Sequence, residues 1–150
     1  MNFIMRLLRA ITCPDKIPMP EPVLRRMVTY GELYAELRNR FPNAQIFLSD
    51  TQKWLCDISD IETFLKLDQT NRMKYKSEAL DCDDFAYRLM GQLSIPKWAS
   101  LAKAIVWTDV HALNGCFDTN MDWWFVEPQS NDIKNHLASW QGKEVRLVII

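Results

Sequence analysis

Apolar residues recur at helical spacing through the first half of the chain and gather in short dense runs in the second. Thr29-Tyr30-Gly31-Glu32 sets a hydroxyl three residues before a glutamate, the capping-box pattern that opens a helix. Tyr30, Leu33, Tyr34, Leu37 and Phe41 then share one face, and Pro42 with Asn43 ends the run. Ser59-Asp60-Ile61-Glu62 repeats the capping pattern and predicts a helix to Asp68, with Ile58, Ile61, Phe64 and Leu65 inward. Asp68 to Lys76 is polar and reads as loop. A third helix is predicted from Cys82 to Leu93, with Phe85, Ala86, Leu89 and Leu93 as its apolar stripe.

Beyond Pro96 the period changes. Ala104 to Trp107, Ala112 to Phe117, Trp123 to Val126 and Val145 to Ile150 are rich in β-branched and aromatic residues and read as strands. Ile46 to Leu48 is a further short strand, and Asn120 to Asp122 a turn. Asn131-Asp132 is expected to cap a short polar helix reaching Ser139, with His136 on its surface and Gly142 breaking it. Helices first and a mostly antiparallel sheet second make an α+β arrangement, with the helices packed on the sheet.

The head of the chain is different. Met1 to Ile11 is apolar with Arg6 and Arg9 set inside it, which predicts a short amphipathic helix. Pro14, Pro18, Pro20 and Pro22 make the following stretch an extended connector. The expected division is therefore residues 1–22 as helix and connector, and 23–150 as one α+β domain. The interrupted apolar run does not read as a secretion signal, and no stretch of about 20 apolar residues exists to span a bilayer. A cytoplasmic or virion-associated location is expected, and the N-terminal helix is expected to pack on the domain, with a protein partner or a membrane surface as the alternatives. Composition adds one exclusion. Eighteen basic against nineteen acidic residues give a formal charge of −1, which argues against nucleic-acid binding as the main task.

Candidate chemistry is confined by two counts: two histidines, His111 and His136, and four cysteines, Cys13, Cys56, Cys82 and Cys116. The cysteines are scattered with no Cys-x-x-Cys pair, so a structural zinc site is not expected. Leu80-Asp81-Cys82-Asp83-Asp84-Phe85-Ala86 sets Cys82 at a helix N-terminus, where orphan N–H groups and the dipole favour a thiolate nucleophile. The flanking aspartates oppose that effect unless an imidazolium or a cation offsets them. His111 follows a strand, in Thr108-Asp109-Val110-His111-Ala112-Leu113-Asn114, and suits a general base. Glu127, Asn114 and Asp109 are candidates for orienting its ring. Glu127 ends a neighbouring strand and reaches the ring from the side, whereas a regular strand points Asn114 to the other face. Trp107 and Trp140 are expected in the core. Trp123 and Trp124 alternate, so the outward one, with Trp124 preferred, is expected to line a substrate groove near Glu127. The Arg72 to Lys76 loop, with Tyr75, is expected to form a wall of the cleft.

The segments Asp-Cys-Asp-Asp-Phe-Ala, Ile-Val-Trp with His-Ala-Leu-Asn, and Trp-Phe-Val-Glu-Pro-Gln resemble the protease-like C-terminal domain of the mushroom agglutinin (MOA-type) and its small phage and bacterial relatives. The resemblance covers residues 28–150. It implies a papain-like cysteine peptidase fold, with Cys82 as nucleophile, His111 as base and Glu127 as orienting acid, acting on a peptide or protein substrate. It also implies calcium, for which Asp83 and Asp84 are the preferred ligands; no organic cofactor is expected. The agglutinin's sugar-binding β-trefoil has no counterpart here, because no threefold repeat is present. The alternative expectation is a catalytically silent structural or interaction protein on the same fold, of the phage accessory type.

Overall fold

The computed structural model describes residues 19–150. The whole of the expected N-terminal helix, most of the expected connector, and Cys13 lie outside the described residues. The elements run β1 (Arg26–Thr29), α1 (Tyr30–Arg40), β2 (Gln45–Phe47), β3 (Gln52–Leu55), α2 (Ile58–Leu67), α3 (Cys82–Gln92), β4 (Lys103–Thr108), β5 (Ala112–Phe117), β6 (Trp123–Val126), β7 (Ile133–Lys134) and β8 (Val145–Ile149). The fold is α+β. A six-stranded sheet has the order β2-β8-β4-β5-β6-β7, and β1 pairs with β3 in a separate antiparallel ribbon. The large sheet is antiparallel except where β2 runs parallel to β8.

Strand alternation sorts the core into layers. Ala104 and Val106 of β4, Leu113 and Phe117 of β5, and Trp123 and Phe125 of β6 meet Leu33 and Leu37 of α1 and Val28 and Leu55 of the ribbon. On the other face Cys116 and Val126 pack with Ile61, Phe64 and Leu65 of α2 and Leu89 and Leu93 of α3. The end of α3 nearer Cys82 rests on Ile105 and Ala112 through Ala86. Asn114, expected to face away from His111, is buried there and donates to the carbonyls of Ala86 and Ala104 at 3.1 and 3.3 Å, tying α3 to the sheet.

The Thr29 capping box forms as expected: Thr29 Oγ1 accepts from the Glu32 backbone, and Glu32 accepts from the Thr29 N–H at 2.8 Å. Tyr30 and Tyr34 differ from expectation, since both are exposed and stack on each other outside the Leu33–Leu37 stripe. The second capping box does not form. Helix α2 begins at Ile58 with Asp57 as its cap residue, and the Asp57 carboxylate instead holds Thr119 and Arg25. The helix expected from Asn131 to Ser139 is also absent. Asn131 takes a left-handed conformation and donates to the Leu65 carbonyl, β7 then pairs with β6, and Ser139–Gln141 forms a single 3-10 turn. His136 is exposed on this irregular segment.

Candidate functional site

His111 sits at the mouth of β5, one residue beyond the turn from β4. That turn is held by Thr108, whose hydroxyl accepts from the His111 and Val110 N–H groups and donates to the Gln141 carbonyl at 2.6 Å. Glu127 follows β6, the strand paired with β5. The two side chains meet: His111 Nε2 donates to Glu127 Oε2 at 2.9 Å, with 8% of the histidine and 2% of the glutamate side chain exposed. A buried carboxylate needs several donors to stay charged. Glu127 has two more, the Gln141 side-chain amide at 2.8 Å and the Gln129 N–H at 3.2 Å. With Nε2–H committed to Glu127, the neutral ring keeps its lone pair at Nδ1, the tautomer a general base needs.

Cys82 is the first residue of α3 and is half-buried. It packs with Ala86, Ile105 and Ala112, and Ala112 is the chain neighbour of His111. Among the described residues no hydrogen bond joins the Cys82 thiol to the His111 ring. The other described cysteines differ in kind. Burial pushes the Cys56 thiol up to about 12 and raises that of Cys116 still further, so both are inert packing groups at neutral pH.

The acidic flank is arranged differently from expectation. Asp84 accepts from the Asp81 N–H at 3.2 Å and so belongs to the helix cap. Asp81, rather than Asp84, stands with Asp83 beside the thiol, their ligand atoms and Cys82 Sγ lying within 4.8 Å of one another. The Asp83 carboxyl is raised above its ordinary value, first by a hydrogen bond with the Asp81 side chain and then by burial. A hard cation takes about six to eight oxygen ligands. Two carboxylates and a thiol fall short of that set.

Asp109 is occupied elsewhere, its carboxylate accepting from the Lys143 and Glu144 N–H groups. Tyr75 is exposed on the segment leading into the turn before α3, where Lys76 pairs with Leu80. Trp124 does not face Glu127. It lies on the opposite side of β6, packs with the α2–α3 cluster and donates to Asp118 at 2.9 Å. Trp107 is half-buried against Tyr87. Trp140 is the larger departure, since it is 58% exposed rather than in the core. Its ring meets the His111 imidazole edge-on, with centroids 5.0 Å apart. Sequence reading missed Gln141, and it missed Trp140 as a neighbour of the histidine. Neither carries a local signal, because both reach the site through a return of the chain after β7.

The fold and this site define an α+β protein with a histidine–carboxylate pair at one end of its sheet and a cysteine-headed helix on its flank. No family model and no curated protein matches the chain. Solved structures do. PSL1a in its complex with E64 superposes with a TM-score of 0.70 at 19% identity, over 83% of this chain and 50% of that one. The Polyporus squamosus lectin bound to a human-type influenza-binding epitope, Neu5Acα2-6Galβ1-4GlcNAc, gives a TM-score of 0.66 at 18% identity, over 83% and 49%. These neighbours are a fungal lectin related to the MOA-type agglutinins, and the chain spans about half their length. At such identity the likeness is one of fold.

Proposed function

We propose that the chain is a papain-like cysteine hydrolase in which Cys82 is the nucleophile, His111 the base and Glu127 its orienting acid. The buried 2.9 Å bond between His111 and Glu127 carries the reading, because it fixes the tautomer that leaves Nδ1 free to take a thiol proton. In this scheme the Cys82 proton passes to His111 Nδ1 and the thiolate attacks a peptide or isopeptide carbonyl. The imidazolium then protonates the departing amine, and water, giving its proton to the same ring, releases the acyl group. Helix α3 presents its free N–H groups and positive dipole end to the thiolate. Asp81 and Asp83 oppose it, and a cation between them would relieve that opposition. Calcium is the ion that the family resemblance suggests.

A second reading has its own support. The structural neighbours are lectins, a description that fits a non-catalytic binding protein better than a peptidase. In that reading the same fold holds a protein or glycan partner without turnover. One experiment separates the two. A thiol-directed electrophile, E64 among those tried, is offered to the native protein with and without calcium. The hydrolase reading expects Cys82 to be labelled faster than Cys13, Cys56 and Cys116, and His111→Ala to slow that labelling at least tenfold, roughly the loss of a proton-transfer partner. Equal labelling of all four cysteines, or an unchanged rate in His111→Ala, leaves the binding reading.

A further inference from the structure

We propose that Gln141 is a positioning residue for the His111–Glu127 pair. The proposal rests on reading those two residues as base and orienting acid. Gln141 is buried, and its amide is fixed at both ends. Oε1 accepts from the Ala138 N–H at 2.9 Å, and Nε2 donates to Glu127 Oε2 at 2.8 Å, the same oxygen that receives His111. The amide therefore has one usable orientation, and in it the donor stands beside the imidazole. Two donors, the Gln141 amide and the His111 ring, thus converge on one Glu127 oxygen, and the amide fixes the place at which that oxygen meets Nε2 of His111.

The backbone of Gln141 is locked to the same turn that carries His111. Its carbonyl accepts from Thr108 Oγ1, and Thr108 in turn accepts from the His111 N–H at 2.9 Å. Gly142 follows with φ near +111°, and a Cβ there would stand 2.4 Å from Asp109 Oδ1 and 2.7 Å from Thr108 Oγ1. Only glycine lets the segment close on the turn in this way. One short segment thus clasps both members of the pair, Glu127 through a side chain and His111 through the backbone. Asp132 and Lys134 line the small cavity on the Glu127 side, together with Phe125, Trp140 and Gln141, and are the other titratable groups there.

The test uses the histidine count. With two imidazoles in the chain, nitrogen-15 spectra resolve each ring, and exposed His136 serves as the internal reference. In the unmodified protein, neutral His111 is expected as the Nε2–H tautomer. Gln141→Leu is expected to give a mixture of tautomers and to slow Cys82 labelling by about tenfold. Should Gln141→Leu fail to fold, Gln141→Glu keeps the shape and the Ala138 bond while replacing the donor with an acceptor, and the same shifts are expected. An unaltered tautomer in the folded variant would overturn the proposal. If Cys82 of the unmodified protein is not selectively labelled, the hydrolase reading fails alone, and the His111 spectrum still decides the role of Gln141.

Discussion

Lys103 heads β4 with its ammonium drawn into the protein, where its one acceptor among the described residues is the Ala99 carbonyl at 3.5 Å. Burial, and then the nearby charge of Lys53, push its pKa down to about 8 from an ordinary 10.5, while Asp50 pulls weakly the other way. Lys53 takes the better partner, reaching Asp50 at 2.5 Å. The folded chain therefore gives up the Lys103 proton near pH 8, and the unfolded chain keeps it to about 10.5. Below pH 8 both forms are protonated and the fold carries the full penalty of the buried charge; between the two values that penalty fades as pH rises. Lys103→Met is expected to raise the melting temperature at pH 7, with the gain shrinking steadily above pH 8. A gain that stays flat to pH 10, or a loss at pH 7, would show that the ammonium is not under strain. The catalytic candidates were legible at this scale because each carries a local mark: Cys82 a helix start, His111 and Glu127 the ends of neighbouring strands. Gln141 was not legible, because nothing near it in the chain distinguishes a buried amide from a surface one.

Between elements, a tight fit occurs where Gly115 of β5 lies against the Trp123 ring of the neighbouring strand β6. A Cβ at Gly115 would stand 2.2 Å from Cζ2 of Trp123, a ring that Phe41, Phe117 and Phe125 also box in. The indole has no free direction in which to yield. Gly115→Ala should therefore cost about 1–3 kcal/mol or more as overpacking, read as a lower urea midpoint with an unchanged slope. A midpoint equal to that of the unmodified protein would mean that the sheet opens there at no cost. Elements with long apolar runs or a true cap were readable in advance, among them α1, α3, β5 and β6. The elements that were missed, β1, β3 and β7, and the two misplaced caps have physical reasons. β1 and β3 stabilise each other as a ribbon, and neither has an alternation long enough to declare a strand alone. Asn131 was read as a cap, yet its side chain serves Leu65 on α2, and the two-residue β7 exists because β6 offers it an edge. Ser59 loses its role to Asp57 because the helix starts earlier, at Ile58, which packs against the α2–α3 cluster.

At the scale of the whole molecule, two apolar clusters on opposite faces of one sheet share strands β5 and β6, so neither face is expected to fold without the other. The α2–α3 side has an extra tie from the head of the chain. Trp98 lies buried against Phe64, and among the described residues its indole N–H has a single acceptor, the Pro20 carbonyl at 2.8 Å. Met19 and Leu24 pack on the same cluster, and the Val23 N–H reaches Asp60. The division at residue 23, drawn from the prolines, therefore cuts through a working contact. Removing Pro20 leaves a buried donor without its partner, which costs about 1–3 kcal/mol. The ion pair of Glu21 with Lys97 is exposed and adds little. A chain of residues 23–150 should then melt at a temperature lower by about 3 °C or more than one of residues 19–150. Trp98→Phe, which removes the donor and keeps most of the ring, should narrow the gap between the two truncations. If both truncated chains melt together without that substitution, the Pro20 contact contributes nothing and the domain does begin at Val23.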